Sequence, residues 1–348
     1  MYVEYFGLRD FPFRITPDTD YLYMSAAHSR AKAYMEYAIF NREGFVVITG
    51  EIGSGKTTLI KKLLTELDDN VLVAKIFQTQ LNEVELLQAI LVEFGLNPFS
   101  ARKVELLSML NQFLVNSYLE GKQVLLIIDD AQNLSKRVLE EITMLSSVET
   151  QKEKILHVIL VGQPELNHKL EDPDMEQLLQ RVSLRYHVRA LTFDETKKYI
   201  VHRLKVAGII EKLFEDDILS DIYEYTGGIP RLINTLCDTS LTCAFADDAT
   251  SVTKLEFNNA IIELQWKKYA GVNSNSAKNE TSPVSQADNL YEMHNIDENE
   301  GNNESMDVKN VINSAYIPIA SRALVEISRQ LKRIADHFEA TDENKDDR

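Results

Sequence analysis

Cysteine is almost absent from this chain of 348 residues: Cys237 and Cys243 are the only two, six positions apart in a stretch patterned as helix. That spacing excludes a disulfide framework and a cysteine-built zinc site, and leaves two small core side chains in a reducing compartment. Positive charge is also in short supply. Lys and Arg total 37 against 54 Asp and Glu, a formal net charge of -17, which argues against a phosphate-tracking surface as the main feature. Long apolar runs are missing as well. The opening MYVEYFGLRD has mixed charge and no stretch of signal-peptide length, and no later segment approaches the roughly 18 apolar residues that a spanning helix needs. These absences predict a cytoplasmic protein whose membrane contact runs through a partner.

What is present is 44% hydrophobic residues, enough for a sizeable core. Between 45 and 188 short β-rich runs alternate with helical stretches, the pattern of a parallel sheet covered on both faces. Strands are expected at 45–49, 71–77, 124–128, 155–161 and 185–188, several of them apolar at almost every position, as doubly buried strands are. The fold class that follows is α/β, a doubly wound parallel sheet. From 192 to 270 apolar positions fall at helical spacing, as in Ile218, Ile222 and Tyr225 and then Leu232, Leu236 and Leu241, which predicts a small all-helical lid. Within it Gly227 and Gly228 can end one helix and Pro230 can start the next. Residues 271–315 are rich in Asn, Ser, Glu and Asp and predict a disordered linker. Residues 316–340 regain an a/d seam, Ala320, Leu324, Ile327, Leu331, Ile334 and Phe338, on one amphipathic helix that either packs on its own domain or docks to another chain.

Gly50-Glu51-Ile52-Gly53-Ser54-Gly55-Lys56-Thr57 matches the P-loop pattern G-x-x-x-x-G-K-[ST] between an expected strand and an expected helix. This arrangement wraps backbone N–H groups around phosphates and aims a helix N-terminus at the same anion. The binding set is Gly50, Glu51, Ile52, Gly53, Ser54, Gly55, Lys56, Thr57 and Thr58. Lys56 is expected at the β- and γ-phosphates of ATP and the Thr57 hydroxyl on Mg²⁺. The strand run Val124 to Ile128 ends in Asp129, the second Mg²⁺-side ligand, and Asp130, placed to orient or deprotonate the attacking water. At the end of the next strand Gln163 reads either as a contact to the γ-phosphate and lytic water or as a turn residue before Pro164. Arg181, Arg185 and Arg231 are each either ion-pair or surface residues, or cations for a transferring phosphoryl group.

Together these residues resemble the ExeA/GspA-type AAA+ ATPases of bacterial envelope systems, general secretion pathway protein A-like, with relatives in MSHA pilus and exosortase-linked exopolysaccharide loci. The resemblance spans roughly residues 1–268. It rests on Phe6-Gly7-Leu8, Pro12-Phe13, Thr16-Pro17-Asp18, Glu43-Gly44-Phe45, the P-loop, Asp129-Asp130-Ala131-Gln132, Gly162-Gln163-Pro164-Glu165-Leu166, Gln180-Arg181 and Gly228-Ile229-Pro230-Arg231-Leu232-Ile233-Asn234. It implies an AAA+ core over 1–191 with a helical lid, Gln163 as first sensor, Arg231 as second sensor, and a finger arginine near Arg181. The family usually shows Asp-Glu before Ala-Gln, so Asp130 shortens the candidate base by one methylene. Larger members carry a transmembrane helix and a peptidoglycan-binding domain where this chain has the linker and seam helix.

The function expected is an oligomeric, ATP-hydrolysing AAA+ enzyme assisting a secretion, exopolysaccharide-export or pilus apparatus. Two alternatives stand beside it: a nucleotide-gated adaptor with negligible hydrolysis, and a DNA-handling ATPase of the transposition or origin-binding kind, against which the acidic balance counts.

Overall fold

A computed structural model describes residues 2–40, 45–77, 79–99, 102–148, 154–209 and 212–269. The expected linker and seam helix lie outside the described residues. Five strands, β1 (Phe45–Gly50), β2 (Val71–Ile76), β3 (Gln123–Ile128), β4 (Leu156–Gly162) and β5 (Leu184–Val188), form one parallel sheet in the order β2-β3-β4-β1-β5. Each lies within a residue of its expected limits. The central strands β1 and β4 are buried at every position, while β5 at the edge alternates. Double coverage removes the period-2 signal only where a strand has neighbours on both faces.

Among the described residues eight α-helices belong to the sheet or precede it: α1 (Tyr2–Tyr5), α2 (Ala26–Phe40), α3 (Lys56–Thr65), α4 (Glu83–Glu93), α5 (Lys103–Leu119), α6 (Lys136–Leu145), α7 (Glu165–Leu170) and α8 (Glu176–Arg181). Successive strand side chains point to opposite faces. Val47, Leu126 and Leu160 therefore pack with Leu87, Leu110 and Ile142 of α4 to α6, whereas Val46, Ile48 and Ile159 pack with Met35 of α2 and Leu59 of α3.

The chain continues as α9 (Phe193–Val206), α10 (Asp216–Thr226), α11 (Pro230–Ala246) and α12 (Lys254–Leu264). Capping boxes start two of them, Thr192 with Glu195 and Thr253 with Glu256. Gly227 ends α10 in the left-handed region and Pro230 occupies the first turn of α11. Between them Gly228 is fixed by contact: a Cβ there would stand 1.9 Å from the Leu191 carbonyl oxygen. Ile218, Ile222, Leu236, Leu241 and both free cysteines lie in the core of this helical unit.

The N-terminal segment, attached to the α/β core by the sequence reading, buries four of its aromatic side chains, Tyr2, Phe6, Phe13 and Tyr21, in the helical unit. Tyr2, Phe6, Leu8, Phe13 and Tyr21 share a core with Leu204, Phe214 and Leu236, and Phe13 meets Phe214 edge-on at 5.8 Å. A four-residue helix such as α1 has no stability of its own and takes its place from what it packs against. No helix among the described residues is long and apolar enough to cross a membrane.

Candidate functional site

The P-loop links the buried C-terminal end of β1 to the start of α3, where Gly55 occupies the cap position without a side-chain hydrogen bond. The first amides of α3 are thus left for an incoming acceptor. Residues Ile52 to Thr58 line a cleft of about 610 Å³, together with Asp129, Asp130, Gln163 and Arg231. Gly50 and Glu51 stand behind it, their carbonyl oxygens accepting from Lys56 Nζ at 2.7 and 2.9 Å.

Two strands deliver the acid–hydroxyl pair. Thr57 Oγ1 donates to Asp129 Oδ2 at 2.6 Å, and the Asp130 N–H donates to Asp129 Oδ1 at 2.9 Å. Burial pushes the Asp129 carboxyl above the ordinary aspartate value and the Lys56 ammonium below the ordinary lysine value. A divalent cation beside the first and a polyphosphate beside the second would reverse both shifts, so the residues fit a nucleotide with Mg²⁺. Among the described residues no group of three or more His, Cys, Asp or Glu could hold a metal by itself. A Mg²⁺ ion takes one or two protein ligands and completes its shell with phosphate and water, and Thr57 and Asp129 are the residues that would supply them.

Asp130 sits in the left-handed region at φ 53°, an uncommon conformation for a residue with a side chain. Gln132 Nε2 donates to its Oδ1 at 3.1 Å, while Gln132 Oε1 accepts from the Gln163 N–H at 3.0 Å. Gln132 therefore ties the ends of β3 and β4 together, a role that the sequence reading quoted in a motif without assigning.

His28 of α2 was missed altogether. It is buried, with Nε2 2.9 Å from the Ser54 carbonyl and Nδ1 2.7 Å from Ser25 Oγ. Burial lowers its pKa, so the neutral ring donates through Nε2 to the carbonyl and accepts the Ser25 hydroxyl on Nδ1. One histidine in a helix of mostly small and apolar residues carries no sequence signal for such a contact.

The helical unit reaches the P-loop through α11. The Arg231 N–H donates to the Gly53 carbonyl at 3.2 Å, and a Cβ on Gly53, itself at φ +80°, would lie 2.4 Å from Arg231 Cβ. Only glycine allows that approach. Arg181 is not brought to this cleft. It ends α8 with Nη1 3.5 Å from Ser146 Oγ, and Arg185 is held by Asn167 at 3.2 Å and Glu171 at 3.3 Å.

A profile for the family described as "AAA domain" matches residues 40–170. General secretion pathway protein A of Aeromonas hydrophila is 38% identical over 265 residues, 76% of this chain and 48% of that protein. ATP-dependent target DNA activator B of Escherichia phage Mu is 27% identical over 200 residues, 55% of this chain and 57% of that one. The chain thus spans about half the length of the curated relatives it matches. Among solved structures, the Aeropyrum pernix ORC2 protein in its ADPNP–ADP complexes superposes with a TM-score of 0.54 at 18% identity, over 74% of this chain and 71% of that one, a likeness of fold.

Proposed function

Because the chain belongs to the AAA+ ATPases of the general secretion pathway protein A type, we propose that its cleft binds ATP with Mg²⁺ and hydrolyses it. The observation that carries this reading is the 2.6 Å bond from Thr57 to Asp129, which joins the P-loop to the end of a different strand at the place a Mg²⁺ ion requires. When bound, the ion neutralises charge on the phosphates. Lys56 leaves its two carbonyl acceptors for the β- and γ-phosphates, and the free amides of α3 hold the same oxygens. Asp130 orients and deprotonates the attacking water. Gln163 and Arg231 meet the γ-phosphate from the strand end and from α11. Arg181, outside its own cleft, serves the nucleotide of a neighbouring subunit, where a guanidinium can contribute roughly 1,000-fold in rate.

The work assisted is assembly of an envelope secretion, exopolysaccharide-export or pilus system, with components of that apparatus as partners. ATP turnover measured against protein concentration tests the oligomeric part. Specific activity should rise as subunits associate. Mixing Arg181→Ala with Lys56→Ala should restore part of the activity each lacks alone; no rescue, with concentration-independent turnover, would sink the trans role of Arg181.

One observation favours a second reading, a nucleotide-gated adaptor with negligible hydrolysis. The Asp130 carboxylate is one methylene shorter than the family's usual Glu and is engaged by Gln132, and a misplacement near 1 Å can cost on the order of 100-fold. Turnover per bound nucleotide separates the two readings.

A further inference from the structure

Arg203 of α9 differs from the arginines of the phosphate site. It is only 6% exposed, yet it pairs with no carboxylate among the described residues. Its Nε donates to the Pro12 carbonyl at 2.5 Å and its Nη2 to the Arg14 carbonyl at 3.1 Å. Its guanidinium carbon lies 4.7 Å from the Tyr21 ring centroid and 5.8 Å from that of Tyr199. A second side chain reaches the same carbonyl. Asn234 of α11 donates Nδ2 to Arg14 O at 3.2 Å, and its Oδ1 accepts the Tyr199 hydroxyl at 2.7 Å. Helices α9 and α11 therefore grip one point of the N-terminal segment.

That point opens a strap whose Ile15, Pro17, Tyr21 and Leu22 line the same cleft as the P-loop. These side chains offer apolar and aromatic surface rather than phosphate ligands, the surface a nucleobase and sugar would meet once the phosphates are seated. Packing alone does not call for an arginine here. A buried cation without a counter-charge is costly, and a residue such as Met would fill the space without that cost.

We propose that Arg203 is a positioning residue for the nucleoside end of the bound nucleotide, locking the strap to the helical unit so that this wall of the cleft moves with α9 and α11. The inference rests on the nucleotide reading. Because α11 also touches the P-loop through Arg231 and Gly53, a shift of the helical unit reaches both ends of one ligand.

The test compares two probes, ATP and inorganic tripolyphosphate, each with Mg²⁺, on the whole chain. Arg203→Met should lose roughly 10-fold or more in affinity for ATP, the value of one or two hydrogen bonds, and less than about twofold for tripolyphosphate, which has no nucleoside. Arg203→Lys, still able to reach one carbonyl, should recover part of the ATP affinity. Tyr199→Phe, which releases Asn234 without opening a cavity, should shift the same ratio by about threefold and carries the test if Arg203→Met does not fold. Equal losses for both probes, or no loss for either, would overturn the positioning role while leaving the phosphate site standing. Failure of the unaltered protein to bind ATP would overturn the nucleotide reading and this inference with it.

Discussion

The two walls of the cleft are built on different plans. On the α/β wall the working groups sit at strand ends and close neighbours in sequence supply them: Lys56 and Thr57 follow β1, and Asp129 and Asp130 follow β3. The sheet fixes their spacing through its register, with Asp129 continuing the ladder by donating to the Ile76 carbonyl at 3.0 Å. On the helical wall the groups are single contacts across long stretches of chain, Arg231 to Gly53, Arg203 to Pro12 and Asn234 to Arg14. Chemistry placed on a rigid ladder tolerates change in one side chain without moving the others. A wall held by a few distant contacts moves as a body when one is lost.

The largest effect should come from the α/β wall and leave binding untouched. Asp130→Asn should lower ATP turnover by about 1,000-fold, the loss of a general base, with ATP affinity retained in equilibrium titration. Asp130→Glu should raise turnover if reach limits the native side chain. Unchanged turnover in both variants would remove Asp130 from the chemistry.

Next is Lys56→Ala, expected to weaken ATP about 100-fold through loss of charged hydrogen bonds to the phosphates, read by nucleotide-dependent thermal stabilisation. Retained stabilisation would count against the phosphate assignment.

The junction between the walls gives a smaller and different result. Gly53→Ala sets a methyl against Arg231 Cβ at a left-handed backbone position, and should cost about 1–2 kcal/mol of stability. It should weaken ATP and tripolyphosphate together, unlike Arg203→Met. A variant as stable as the parent, with normal ATP affinity, would show that the helical wall does not lean on the P-loop.

The smallest effect is a contrast in pH response. Burial holds His28, on the α/β side, below the ordinary histidine value of 6.5. The unfolded chain then binds more protons, so its contribution is complete above 6.5 and is lost as pH falls through the folded value. Asp238 of α11 has the opposite sign. Burial raises its carboxyl despite the hydrogen bond from the Tyr2 hydroxyl, so its contribution is complete below the ordinary aspartate value and is lost as pH rises through the folded one. Asp238→Asn should therefore steepen the fall in denaturant midpoint on acidification below 6.5. An unchanged or shallower slope would break the contrast.

The sequence by itself determined the sheet, the helical unit and the phosphate-side residues. Buried strands read as unbroken apolar runs, helices as a 3.6-residue period, and a P-loop as one contiguous octet whose neighbours in sequence are its neighbours in space. Asp129 was legible for the same reason, since a strand end has only one place to go once the sheet is parallel. Tertiary structure alone decided that the N-terminal aromatics belong to the core of α9 to α12, that Gln132 joins Asp130 to Gln163, and that His28 and Arg203 take backbone carbonyls as partners. The carbonyls that His28 and Arg203 find lie 26 and 191 positions away, and the other contacts depend on which of several side chains faces inward. Periodicity records which face of a segment is apolar, and it holds no information about which distant carbonyl a buried donor will find.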